Sequence, residues 1–103
     1  MQIQINFANI PASDALDGHV RERINHDLKR FGERLTRIEA HLHDENESKH
    51  GPADKKCVLE ARPRGLDPIA VEDRADDFFQ AVTGAARKLQ HALDTRFGKL
   101  EHT

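Results

Sequence analysis

The stretch RIEAHLHDENESKHGPADKKCVLEARPRGLDPIAVED, residues 37–73, decides how this chain folds. In its first part Ile38, Ala40 and Leu42 alternate with Glu39, His41 and His43, the period of two that marks a strand with one buried face. KKCVLEARP alternates again, with Cys57, Leu59 and Ala61 as the inward set. RGLDP is a turn, and IAVED adds a short strand with Ile69 and Val71 inward. Between the first two runs ENESKHGPADKK has no period, and its Gly-Pro marks a hairpin loop. Three strands joined this closely run antiparallel.

Upstream, QIQINF sets Ile3, Ile5 and Phe7 against Gln2, Gln4 and Asn6, so a fourth strand opens the chain. Asn9 to Ala12 breaks it, and Ser13 or Asp14 can cap a helix. Leu16, Val20, Ile24, Leu28, Phe31 and Leu35 then recur at three or four residues, the face of one long helix that Gly18 and Gly32 weaken without ending. Downstream, Phe78, Val82, Ala85, Leu89, Leu93 and Leu100 mark a second long helix, with Ala86 and Phe97 at its margin. The first strand reaches the others through a helical crossover, so it pairs in parallel. Both helices need the one apolar face of the sheet. The expected fold is a β-α-β-β-β-α two-layer sandwich of the α+β class, a four-stranded mixed sheet with two helices on one face.

The 103 residues form one domain, 1–103, with no repeat, linker or second domain. The lone Cys57 excludes an internal disulfide and suits a reducing compartment. MQIQINFANI is not a signal peptide, and no apolar run reaches membrane-spanning length, so a soluble cytoplasmic protein is expected. The net charge of −2 argues against a polyanionic partner only as a sum; what matters is where the sixteen Lys and Arg lie.

Projected at about 100° per residue, the first helix gathers Arg23, Arg30 and Arg34 on one flank, with His19 and His26 just beyond and Arg37 joining if the helix extends that far. Arg21 and Lys29 fall elsewhere. On the second helix Arg74, Lys88 and Lys99 share a flank, His91 lies further round, and Arg87 is opposite the core. Side by side, these flanks make a ridge of cations suited to RNA phosphates, diluted by Glu22, Asp27 and Glu33. The expected RNA contacts are Arg23, Arg30, Arg34, Arg37, Arg74, Arg87, Lys88, His91 and Lys99.

Two other chemistries are weighed and set aside. His41 and His43 project from the same side of a strand, near Asp44, Glu45 and His50, yet no further ligand pair follows at a fixed spacing. The sequence is read as holding neither metal nor cofactor. Cys57 lacks a His–acid pair, RPRG at Arg62 to Gly65 could touch phosphate but is more often a polar turn, Gly84 and Gly98 form no phosphate-cradling loop, and no catalysis is expected.

FGERLTRIEAHLHDEN, DKKCVLEARPRGLDPIAV and QAVTGAARKLQHALDTRFGKL together resemble the ribosome hibernation promoting factor family, also called protein Y, ribosome-associated inhibitor or sigma-54 modulation protein. The likeness runs from QIQINF to GKL, and Ala81, Val82, Lys88 and Leu89 match its last-helix pattern. It implies the same fold and binding to the small ribosomal subunit, blocking the mRNA and tRNA channel through basic helix flanks; the sequence leaves the oligomeric state unknown, with a monomer as the default expectation. Thr83 stands where the family has an acid and Asp94 where it is commonly basic, and Gly84, Ala85 and Ala86 narrow the helix face. No C-terminal ribosome-pairing domain is expected. The alternative is a diverged member of the fold that binds a protein partner or another structured RNA.

Overall fold

Six regular elements follow the expected order: β1 (Gln2–Phe7), α1 (Asp14–Asp27), β2 (Leu35–Asp44), β3 (Lys55–Pro63), β4 (Ile69–Ala75) and α2 (Phe78–Glu101). The computed structural model describes residues 1–45 and 54–101, with side chains as far as residue 98. The loop expectation for 45–56 and its His50 therefore fall mostly outside the described residues, as do the side chains of Lys99 and Leu100.

The sheet order is β1-β2-β3-β4. β1 pairs with β2 in parallel, Ile3 opposite Ile38 and Phe7 opposite Leu42, whereas β2–β3 and β3–β4 are antiparallel. The parallel pair is what the α1 crossover allows. The inward residues are those the alternation selected: Ile38, Ala40, Leu42, Cys57, Leu59 and Ala61 are fully buried, and Ile3, Ile5, Phe7 and Val71 pack against them. Val20, Ile24, Val82, Ala85, Leu89 and Leu93 close the core from the helical side. The turn into β4 uses Gly65 at φ 71°, a left-handed conformation that favours glycine.

One expectation fails. The first helix does not run on to Leu35; α1 ends at Asp27, Leu28 caps it, and Lys29–Arg34 continue as a tighter 3-10 segment. The chain must leave the helix in time for Arg37 to pair with Gln2 and Arg62, and a register shift between Leu35 and Arg37 absorbs the remainder. Three residues per turn still bring Phe31 and Leu35 inward, so the apolar spacing survives the change of helix type. At the other end, the Ser13 Oγ accepts from the Leu16 N–H at 3.2 Å, which is worth about 1 kcal/mol to α1.

Candidate nucleic-acid interface

α1 and α2 run side by side in the same direction. His19 meets Phe79 near their starts, with ring centroids 5.0 Å apart, while Phe31, in the 3-10 segment after α1, stacks on Phe97 near the end of α2 at 5.6 Å. Both helices thus begin together and finish together.

Of the nine expected RNA contacts, Arg23, Arg30 and Arg34 face the seam between the helices. Arg23 donates to Asp27 at 2.7 Å. Arg30 lies over the Phe31 ring, 4.7 Å from its centroid, and is bonded to Asp94. The Arg34 guanidinium is stacked on Phe97, 3.7 Å from the centroid. Arg87 and His91 are exposed on the outer crest of α2 and have no hydrogen bond or ion pair among the described residues.

Three assignments are corrected. Arg74 lies on β4, not α2, and pairs with Glu45 at 2.7 Å and Glu72 at 2.8 Å on the open side of the sheet. Arg37 lies on β2, where Glu39 holds it at 3.1 Å and Gln4 accepts from it. Lys88 belongs to the far flank of α2 and reaches the edge strand, at 3.0 Å from both the Glu72 carbonyl and the Asp73 carboxylate. Lys88 is therefore not flanked by Arg74, and neither it nor Arg37 and Arg74 lies in the seam.

The open sheet face is charge-balanced. Arg37, Lys56, Arg62 and Arg74 interleave with Glu39, Glu45, Glu60 and Glu72, four cations against four carboxylates within ion-pair distance. Such a face offers little to a polyanion.

The end where the helices finish is different. There Arg64 donates to the Glu33 carbonyl at 2.9 Å, Arg96 to the Asp67 carbonyl at 3.2 Å, and Arg34 rests on a ring face. A backbone carbonyl fixes the Arg64 and Arg96 guanidinium groups without cancelling their charge. Lys29 and Arg30 add to this basic pole, opposed by Glu33, Asp67 and Asp94. At the opposite end Asp14 and Asp17 occupy the first turn of α1, and Asp77 accepts from the Gln80 N–H at 2.8 Å at the start of α2. Acids at helix starts and bases at helix ends complement both macrodipoles. Among the described residues, acids thus mark the helix starts and cations gather where the helices finish.

Sequence patterning did not select Arg64 and Arg96. Arg64 sits in the turn before Gly65, and its N–H bonds the Arg34 carbonyl at 2.9 Å. The RPRG stretch was the available signal for it; nothing in the helix period singles out Arg96.

Two acids in this region are built into the packing. Burial alone would raise the Asp27 carboxyl, but hydrogen bonds from His26 and Arg23, with their charges, outweigh it and hold it below its ordinary value. Asp73, on the helix-facing side of β4, lies against Gly84, where a Cβ would collide with its carboxylate. The glycine in the last-helix block is thus the seat of Asp73, and Thr83 beside it contacts His19. Among the described residues no three His, Cys, Asp or Glu side chains gather as a metal site, and no helix is long and apolar enough to cross a membrane.

A family model described as Sigma 54 modulation protein / S30EA ribosomal protein matches residues 3–101. Among solved structures, the fold is similar to a ribosomal subunit interface protein from Coxiella burnetii, with TM-score 0.79, 18% identity, and 95% of this chain and 99% of that one covered. It is also similar to the N-terminal domain of Protein Y from Thermus thermophilus, with TM-score 0.73, 17% identity, and coverage of 94% and 99%. No curated protein matches by sequence.

Proposed function

The chain belongs to the Sigma 54 modulation protein / S30EA ribosomal protein family, and from that premise we propose that it is a non-enzymatic, ribosome-associated inhibitor of translation. It acts in the cytoplasm, on small-subunit ribosomal RNA in the channel that mRNA and tRNA otherwise use. The observation that carries this reading is the basic pole, where backbone carbonyls fix Arg64 and Arg96 and leave them their charge for phosphates, with Arg34 stacked on the Phe97 ring at the same end. Arg23, Arg30, Arg87 and His91 extend that surface along the seam and crest. Lys88 and Lys99 are secondary contacts in this reading.

Co-sedimentation with ribosomes through a sucrose gradient tests it. The chain should travel with ribosomes at low salt and be released steeply as salt rises, because each phosphate contact displaces counterions. A chain that stays at the top of the gradient at low salt refutes the proposal. Asp94 within the seam favours a second reading, another structured RNA or a protein partner; salt-insensitive ribosome binding would support the protein partner.

A further inference from the structure

Where the two helices begin, the described residues leave an apolar cleft. Ile10 and Pro11 from the loop after β1, Leu16 from the first turn of α1, and Phe78 and Phe79 from the first turn of α2 line an opening of about 400 Å³. Clefts that hold ligands begin at roughly 300 Å³, so this one has room for a bulky apolar side chain. Consecutive residues of a helix point about 100° apart, so Phe78 and Phe79 cannot both turn inward. Phe78 packs on the core, while Phe79 stays 44% exposed with its ring in edge contact with His19 at 5.0 Å. Contiguous apolar surface rimmed by polar groups marks an interaction site. The rim here is acidic. Asp76 and Asp77 belong to the lining, and Lys55, its cation among the described residues, is held by Asp44 at 2.9 Å and Asp54 at 3.4 Å, so four carboxylates surround a single ammonium. Asp77 serves the start of α2. Asp76, and Asp14 two residues before Leu16, are exposed and have no hydrogen bond or ion pair among the described residues.

We propose that this cleft docks a basic protein segment, with one bulky apolar side chain seated against Phe79 and lysines or arginines on either side of it. Charge decides the occupant. The carboxylates repel a polyanion, and a neutral peptide draws nothing from Asp14 and Asp76. A cationic segment is attracted by both, and the hydrocarbon stems of lysine and arginine cross apolar surface on the way to them. The apolar anchor supplies the affinity, and the acids supply encounter rate and orientation. The inference goes beyond the RNA reading and does not rest on it, since the two uses occupy opposite ends of the helix pair.

The test uses the full chain and fluorescein-labelled peptides GKRFLKR, GKRAAKR and GEEFLEE, followed by fluorescence anisotropy at low salt. GKRFLKR should bind about tenfold tighter than GKRAAKR, the effect of one buried anchor, and GEEFLEE should bind weakest of the three. Phe79→Ala should cost GKRFLKR about tenfold and leave GKRAAKR unchanged. Asp14→Asn with Asp76→Asn should weaken both basic peptides about fivefold, the effect of two exposed ion pairs, and flatten their salt dependence. The substituted positions are all exposed, and circular dichroism checks that both variants fold. Equal binding of GKRFLKR and GKRAAKR, or an affinity for GKRFLKR that survives Phe79→Ala or ignores the two acids, overturns the inference. Self-association of the chain alone that Phe79→Ala abolishes in analytical ultracentrifugation also overturns it and makes the occupant a second copy. Binding of a UUUUU pentaribonucleotide that Phe79→Ala abolishes overturns it in favour of RNA. Failure in any of these arms leaves the ribosome gradient, and the function it tests, untouched.

Discussion

Gly84→Ala, taken alone and with Asp73→Ala, turns the packing of the edge strand on α2 into a measurable coupling. In an exposed helix interior the change would stabilise by about 1 kcal/mol through helix propensity. Here the new methyl meets the Asp73 carboxylate, which must move off the helix and give up Lys88. Overpacking of this kind costs roughly 1–3 kcal/mol, so the net effect in the native background is a loss of about 1 kcal/mol. With Asp73→Ala already present only the residue's own Cβ remains, 3.4 Å away and an ordinary contact, and the same change should stabilise by about 1 kcal/mol. The coupling is therefore about 2 kcal/mol. In thermal melts followed by circular dichroism, each kcal/mol moves Tm by about 4–8 °C for a domain of this size. The single variant should melt below the native chain, and the double variant above Asp73→Ala. A Gly84→Ala change that raises Tm equally in both backgrounds refutes the packing described.

Burial, with the Asp73 charge adding, pushes the Cys57 thiol up to about 12. Iodoacetamide at pH 8 should therefore react on the order of a hundredfold or more slowly with the folded chain than in urea, and equal rates would contradict its burial. The lowered Asp27 carboxyl contributes stability that is full above its unfolded value of about 3.9 and is lost as pH falls through the folded one. The stability gap between the native chain and Asp27→Asn should accordingly narrow in urea titrations as pH drops below about 4, and a gap independent of pH would refute the role of His26 and Arg23. Gly65→Ala places a Cβ in the left-handed region and should cost about 1–2 kcal/mol, with Gly65→Asn closer to the native chain; equal losses would contradict the turn.

The sheet was readable because alternation has one physical cause, a strand with one wet face, and Ile38, Ala40, Leu42, Cys57, Leu59 and Ala61 obey it. The end of α1 was not. Leu28, Phe31 and Leu35 keep the same spacing whether the turn is α or 3-10, so periodicity is blind to the tightening. Arg74 was assigned to a helix because β4 carries a polar inward residue, Asp73, which breaks the alternation before Ala75 resumes it. Lys88 followed the same error, since its partner is that inward acid. Arg64 and Arg96 come from a turn and a distant helix, and only the fold brings Arg64 to Arg34 and Arg96 to the Asp67 carbonyl. A helix projection also treats every cation alike, whereas the fold separates the cations paired with carboxylates on the sheet from Arg64 and Arg96, which backbone carbonyls hold at the pole.

The most direct test sets those two groups of cations against each other in the ribosome gradient. Arg30→Glu with Arg34→Glu alters the basic pole; Arg62→Glu with Arg74→Glu alters the balanced sheet face. With circular dichroism confirming both folds, the pole variant should lose at least about tenfold in ribosome affinity and show a salt dependence shallower by about 2 log units per log unit of salt, while the sheet variant stays close to the native chain. Ribosome binding that survives the pole reversal and fails on the sheet reversal would place the interface on the opposite side of the molecule.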